Sequence, residues 1–100
     1  MPDKRPAYVI AEVEITDPAG FDAYVATAIP TLAGTSGRLL TRSRPKSKEG
    51  TAPVGDVVIV AFDSLEEAER WYHGAAYGEA IPMRQRAANT RLFIVEGEPS

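Results

Sequence analysis

Asp56-Val57-Val58-Ile59-Val60-Ala61-Phe62-Asp63 runs directly into Ser64-Leu65-Glu66-Glu67. The first of these segments is β-branched and nearly continuous in apolar character, as expected of a strand covered on both faces. The second is a capping box, in which a serine and a glutamate three residues on satisfy reciprocal backbone donors at a helix start. A strand-to-helix junction is therefore expected at Ser64. The helix it opens carries Leu65, Ala68, Trp71 and Tyr72 inward, and Gly74 can stop it in a left-handed conformation.

Upstream of that junction, residues 38–44 read as a second strand, with Leu39 and Leu40 inside it. Residues 45–55 hold Lys, Ser, Gly and Pro without periodicity and read as a long hairpin loop. Residues 7–15 form an earlier strand, with Val9, Ala11, Val13 and Ile15 on one face and Tyr8, Ile10, Glu12 and Glu14 on the other. Asp17 as N-cap and Pro18 at the first helical position then open a helix. Its apolar stripe is Phe21, Tyr24, Val25, Ala28, Ile29 and Leu32. Pro30 breaks the hydrogen-bond ladder, so a kink or an end is expected near residues 26–29. Downstream, a helical stretch over residues 75–88 is interrupted at Pro82, and residues 91–96 form the last strand.

The order is β-α-β-β-α-β, the ferredoxin-like split pattern. The expected fold class is α+β, with helices on one face of a four-stranded antiparallel sheet. The other face is also apolar: in the strand at 56–63, Val57, Ile59 and Ala61 point one way and Val58, Val60 and Phe62 the other. An uncovered apolar face implies a partner. A homodimer packed sheet to sheet is the expectation, because isologous pairs are the commonest oligomers.

A chain of 100 residues makes one domain, with an ordered core expected over about 7–97. A domain of this size buries roughly 65% of the surface its unfolded chain exposes, enough for one modest core. The net charge of −3 gives no attraction to nucleic acid or to an anionic membrane. The absence of cysteine excludes disulfides and thiolate metal sites and fits a reducing cytoplasm. The longest apolar run, Val57 to Phe62, is far too short to span a bilayer, and no apolar leader follows the first basic residues. A cytoplasmic protein without a membrane or nucleic-acid partner is expected.

The residues able to carry chemistry gather late in the chain. Trp71, Tyr72, His73, Tyr77, Pro82 and Arg84 fall within one 14-residue stretch holding the sole Trp and the sole His. His73 is a candidate general base, although a residue in the last turn before Gly74 also has a sufficient role at the helix end. A lone His without a Glu-x-x-His or His-x-x-x-His spacing makes no metal site, and neither a metal nor a cofactor is expected. Tyr77 and Arg84 are the pair that packing explains least, because a phenol and a guanidinium need polar partners when buried. Arg38, Arg42, Arg44, Lys46 and Lys48 form a basic run. On a regular strand Arg38, Arg42 and Arg44 point the same way, and Arg42 is the best candidate for an inward charge. Arg44, Lys46 and Lys48 suit the protection of an exposed edge. Glu12 and Glu14 share a face and read as solvated or Arg-paired rather than as an acid–base couple.

Ala7 to Pro18, Tyr24, Pro30-Thr31-Leu32, Gly37-Arg38-Leu39-Leu40, Arg42, Phe62-Asp63-Ser64, Trp71-Tyr72, Tyr77, Pro82-Met83-Arg84 and Val95-Glu96-Gly97 occur in an order and spacing that resemble a bacterial domain-of-unknown-function family, the one numbered 1330. The resemblance covers residues 7–97. It implies a dimeric α/β barrel, in which two ferredoxin-like protomers face their sheets together. Relatives with that barrel include small monooxygenases, isomerases and haem-binding enzymes, and the family itself has no settled activity. The chain departs from the family pattern at Arg42-Ser43-Arg44, where Arg-Gly-Gly is usual, and at Ala61, where an acidic residue is common. It also lacks the family's hairpin Trp around Thr51-Ala52-Pro53.

The first functional reading is a dimeric barrel with a small pocket in each protomer, lined by Tyr24, Arg42, Trp71, His73, Tyr77 and Arg84. Arg42 or Arg84 would hold an anionic group of a small organic ligand, Trp71 and Tyr77 would pack its body, and His73 or Tyr77 would move any proton. A rival is a non-catalytic module whose aromatic cluster is core and dimer interface. A third, by analogy of fold alone, is a cofactor-independent monooxygenase or isomerase.

Overall fold

The computed structural model describes residues 4–99. Strands β1 (Ala7–Ile15), β2 (Arg38–Ser43), β3 (Asp56–Phe62) and β4 (Ala88–Glu96) form one antiparallel sheet in the order β2-β3-β1-β4. Helix α1 (Pro18–Ala28) connects β1 to β2, and α2 (Leu65–Tyr72), α3 (Ala75–Gly78) and α4 (Ile81–Ala87) connect β3 to β4. This is the α+β, βαββαβ architecture expected from the sequence.

Local chemistry sets the helix starts. The Asp17 carboxylate accepts from Gly20 N at 3.2 Å, and Pro18 follows it in the first turn. Ser64 Oγ accepts from Glu67 N at 3.1 Å, and the Ser64 hydroxyl also donates to the Glu67 carboxylate at 3.2 Å. Pro30 ends α1 at Ala28, and the chain continues as a 3-10 turn over Ile29–Leu32.

Three local expectations are corrected. Gly74 has φ −73°, not a left-handed conformation, because the chain passes straight from α2 into the N-terminus of α3. Pro82 does not interrupt a helix; it sits in the first turn of α4, where its missing N–H costs nothing. The last strand begins at Ala88 rather than at residue 91, since β1 reaches Ile15 and its register pairs Ile15 with Ala88. The end of α4 is tied back to the start of α1: Ala87 O accepts from Thr16 N and Asp17 N at 2.9 and 3.0 Å.

Ala7, Val9, Ala11 and Val13 of β1 are buried on the side that also carries Val58, Val60 and Phe62 of β3. The helices cover this side. Phe21 and Ala87 pack on Ala11 and Val13, Ala68 packs on Val9 and Phe62, and Ala28 and Ala80 meet around Tyr77. Alanine at these positions lets the helices approach closely, so the core is thin and depends on a few large side chains. Phe62 and Tyr77 are the largest that are fully buried.

The opposite side has no helix. Leu40, Phe93 and Val95 are exposed, and Val57 and Ile59 are half-buried among them. Glu12 lies on this side, bound by Arg91 of the neighbouring strand, and Glu14 accepts from Asn89 at 3.2 Å. The two glutamates are thus a cross-strand ion pair and a hydrogen bond on a sheet surface. No helix among the described residues is long and apolar enough to cross a membrane.

Candidate functional site

Between the covered side of the sheet and α1 lies a cavity of about 140 Å3. Val13, Val58 and Val60 form its floor and Phe21 and Val25 part of its wall, so it is largely apolar. Four polar side chains also line it: Tyr24 from α1, Arg42 from β2, Trp71 from α2 and Arg84 from α4.

Arg42 reaches the cavity through an irregularity in β2. The pairing of β2 with β3 shifts between Leu39 and Thr41, so Leu40 is an extra residue. Arg38 therefore stands opposite Ala61 on the open side, while Arg42 stands opposite Val58 on the covered side. The expectation that Arg38, Arg42 and Arg44 share a face is overturned by this bulge. The Arg42 guanidinium lies 4.9 Å from the centre of the Phe21 ring. It is 3.6 Å from Asp56 Oδ2, and Arg44 approaches the same carboxylate at 3.7 Å. Its charge has a counter-ion.

Trp71 stacks on Tyr77 at 4.1 Å and packs on Phe62 at 5.4 Å. Its indole Nε1 donates to Thr31 Oγ1 at 2.9 Å, and that hydroxyl donates to Ala28 O at 2.5 Å. Trp71 is thereby locked to the 3-10 turn after α1, and it forms the end wall of the cavity. On the other side of the same Trp71–Tyr77 stack is a more open, polar depression between the 3-10 turn and α2–α3.

Tyr77 and Arg84 are hydrogen-bond partners in the interior. Tyr77 is 1% exposed and Arg84 6%. Arg84 Nη1 donates to Tyr77 Oη at 2.8 Å, and Tyr77 Oη shares a hydrogen bond of 2.8 Å with Tyr24 Oη. Burial pushes the Tyr77 phenol well above the ordinary tyrosine range; Tyr24 adds to this, and Arg84 offsets it only in part. For Arg84, burial works against the charge, but the two phenols outweigh it and its pKa moves up. Arg84 thus stays a cation. Its Nε is buried without a hydrogen-bond partner, and among the described residues no carboxylate is paired with it.

Of the six residues expected to line the site, Tyr24, Arg42, Trp71 and Arg84 do so. Tyr77 stands behind Tyr24 and Trp71 as their support. His73 lies outside. It caps α2, its side chain is 72% exposed, and its Nε2 is 3.5 Å from the Glu69 carboxylate one turn back. A helix-end position on the solvent side gives it no access to the cavity. Sequence reasoning missed Thr31 and Asp56 as partners of Trp71 and Arg42. Thr31 was visible within Pro30-Thr31-Leu32, but its pairing with Trp71 spans 40 residues. Asp56 became relevant only through the bulge.

The sheet order and the single helical layer define a ferredoxin-like α+β protein, with a partly open cavity between sheet and helices. Residues 6–98 match the family described as domain of unknown function DUF1330, and the chain belongs to that family. No curated protein matches it. Among solved structures it is similar to the RPA0582 protein of unknown function from Rhodopseudomonas palustris: TM-score 0.71, 18% identity, covering 90% of this chain and 80% of that one. It is also similar to SnoaB, a cofactor-independent oxygenase from Streptomyces nogalater: TM-score 0.62, 11% identity, covering 99% and 97%. A third is a dimeric ferredoxin-like protein of unknown function from Thermobifida fusca: TM-score 0.61, 9% identity, covering 91% and 90%. At these identities the likeness is one of fold.

Proposed function

We propose that the protein binds a small organic anion in the cavity between sheet and helices, and that it does so as a homodimer. The observation that carries the first part is Arg84. A buried guanidinium held by a phenol, with no carboxylate paired to it and one N–H unsatisfied, is costly unless something supplies the missing charge. It lines an apolar cavity whose volume of about 140 Å3 corresponds to one aromatic ring. Arg42 is the weaker anion seat because it is partly exposed and faces Asp56, a carboxylate it shares with Arg44. Tyr24 and Arg84 would hold the polar end of the ligand, and Trp71 with the valines would pack its body.

The experiment is a thermal-shift screen of one-ring carboxylates and phenols against the intact protein. A true ligand at 100 times its Kd stabilises by about 2.7 kcal/mol. Stabilisation by at least one anion, absent in Arg84→Met, supports the reading. No response to any anion sinks it.

The second part rests on the open side of the sheet, where Leu40, Phe93 and Val95 form an exposed apolar patch beside Val57 and Ile59. A second copy of the same face is its natural cover, and the Thermobifida fusca neighbour is described as dimeric. The cytoplasm is the proposed location, since a chain without cysteine makes no use of an oxidising compartment.

A further inference from the structure

Three polar side chains meet at the wall of the cavity, and their protons can be assigned one at a time. Arg84 carries only donors, and its Nη1 donates to Tyr77 Oη at 2.8 Å. Tyr77 is 1% exposed, so its own phenolic proton needs an acceptor inside the protein. The oxygen in reach is Tyr24 Oη, 2.8 Å away. Tyr77 therefore donates and Tyr24 accepts. With its oxygen engaged in this way, the Tyr24 proton must point elsewhere, and Tyr24 is a half-buried residue on the cavity wall.

From this we infer that the cavity is an oxyanion seat, in which the Tyr24 hydroxyl donates to the single charged oxygen of a bound one-ring phenolate or enolate. The inference rests on the proposed small-molecule site and names its ligand class. Chained hydrogen bonds polarise one another, so the buried cation strengthens the last donor in the row. One hydroxyl serves one oxygen. A phenolate or enolate concentrates its charge on one oxygen, whereas a carboxylate divides it between two, and the other cavity guanidinium, Arg42, already faces Asp56 at 3.6 Å. The cavity volume of about 140 Å3 holds one ring. Binding a neutral phenol as its anion releases one proton to the buffer. Tyr24 touches the ligand; Tyr77 is a positioning residue that acts through Tyr24.

The test uses 4-nitrophenol, whose phenolate is read by its visible absorbance, titrated into the intact protein over a range of pH. The expected result is that the phenolate binds at least about tenfold more tightly than the neutral phenol, so that the bound probe ionises about one pH unit or more below the free one. Tyr24→Phe removes that preference. Tyr77→Phe, which keeps the ring and its stack on Trp71, lowers it severalfold, and His73→Ala, outside the cavity, leaves it unchanged. Circular dichroism of each variant checks that it is folded. Binding of 4-nitrophenol with unshifted ionisation, or a preference that survives in Tyr24→Phe, overturns the inference. Benzoate is the second probe: if it binds while 4-nitrophenol shows no preference, the oxyanion seat is wrong and the anion site stands. If neither binds, both fall.

Discussion

Arg84 is the residue on which most depends. In an ordinary structural role, a buried guanidinium that lost its side chain would cost about 3–5 kcal/mol. Here it has no carboxylate to leave behind, and Tyr77 keeps Tyr24 as a partner. Arg84→Met is therefore expected to change unliganded stability by no more than about 1 kcal/mol, measured by urea denaturation, while anion affinity falls at least about tenfold. Tyr77 gives a second prediction. Its folded pKa is raised, so the stability tied to its proton is complete below the unfolded value of about 10 and is lost as pH rises above it. Between about pH 9 and about pH 11 the urea midpoint of the wild type should fall more steeply than that of Tyr77→Phe. Parallel curves would mean that the buried phenol does not hold its proton. Tyr77 and Arg84 were legible in the sequence as the pair least explained by packing. That they answer each other, with Tyr24 as the third member, was not, because the contacts span 7 and 53 residues and depend on how α3 and α4 lie across α1.

At the scale of elements, the junctions with explicit chemistry were readable: the Asp17 and Ser64 caps, the stop at Pro30, and the alternation in β1. The positions that went astray were set by register rather than by local preference. The bulge at Leu40 turns Arg42 away from Arg38, and nothing in the alternation of residues 38–44 announces it. β4 starts early because β1 is long enough to pair with it. Ser64→Ala should cost about 1 kcal/mol through loss of the cap to Glu67 N, checked by thermal or urea unfolding. Gly55→Ala should cost more, about 2 kcal/mol or above. Gly55 has φ +82°, and an added Cβ would fall 2.1 Å from Val13 O, so both the backbone and β1 must yield. A Gly55→Ala protein as stable as the wild type would contradict the position of the β2–β3 hairpin against β1.

For the whole molecule, the sequence carried the element order, the α+β class and the family, and it carried the asymmetry between a covered and an open side of the sheet. It could not carry the cavity, which exists because small side chains such as Ala11 and Ala28 lie where larger ones would fill the space between α1 and β3. If the open side is the dimer face, Ile59→Glu should place a charge in its middle and yield a folded monomer by light scattering, whereas the wild type scatters as a dimer. A monomeric wild type would remove the dimer and leave the cavity untouched. The cavity itself is tested most directly by isothermal titration calorimetry of the intact protein with 4-nitrophenol, at a pH where the probe is ionised, and with benzoate. Saturable binding of at least one of them, one molecule per chain and weakened at least about tenfold in Arg84→Met, is the predicted result. No heat from either anion, or equal affinity in Arg84→Met, would contradict the claim that Arg84 waits for an anionic ligand.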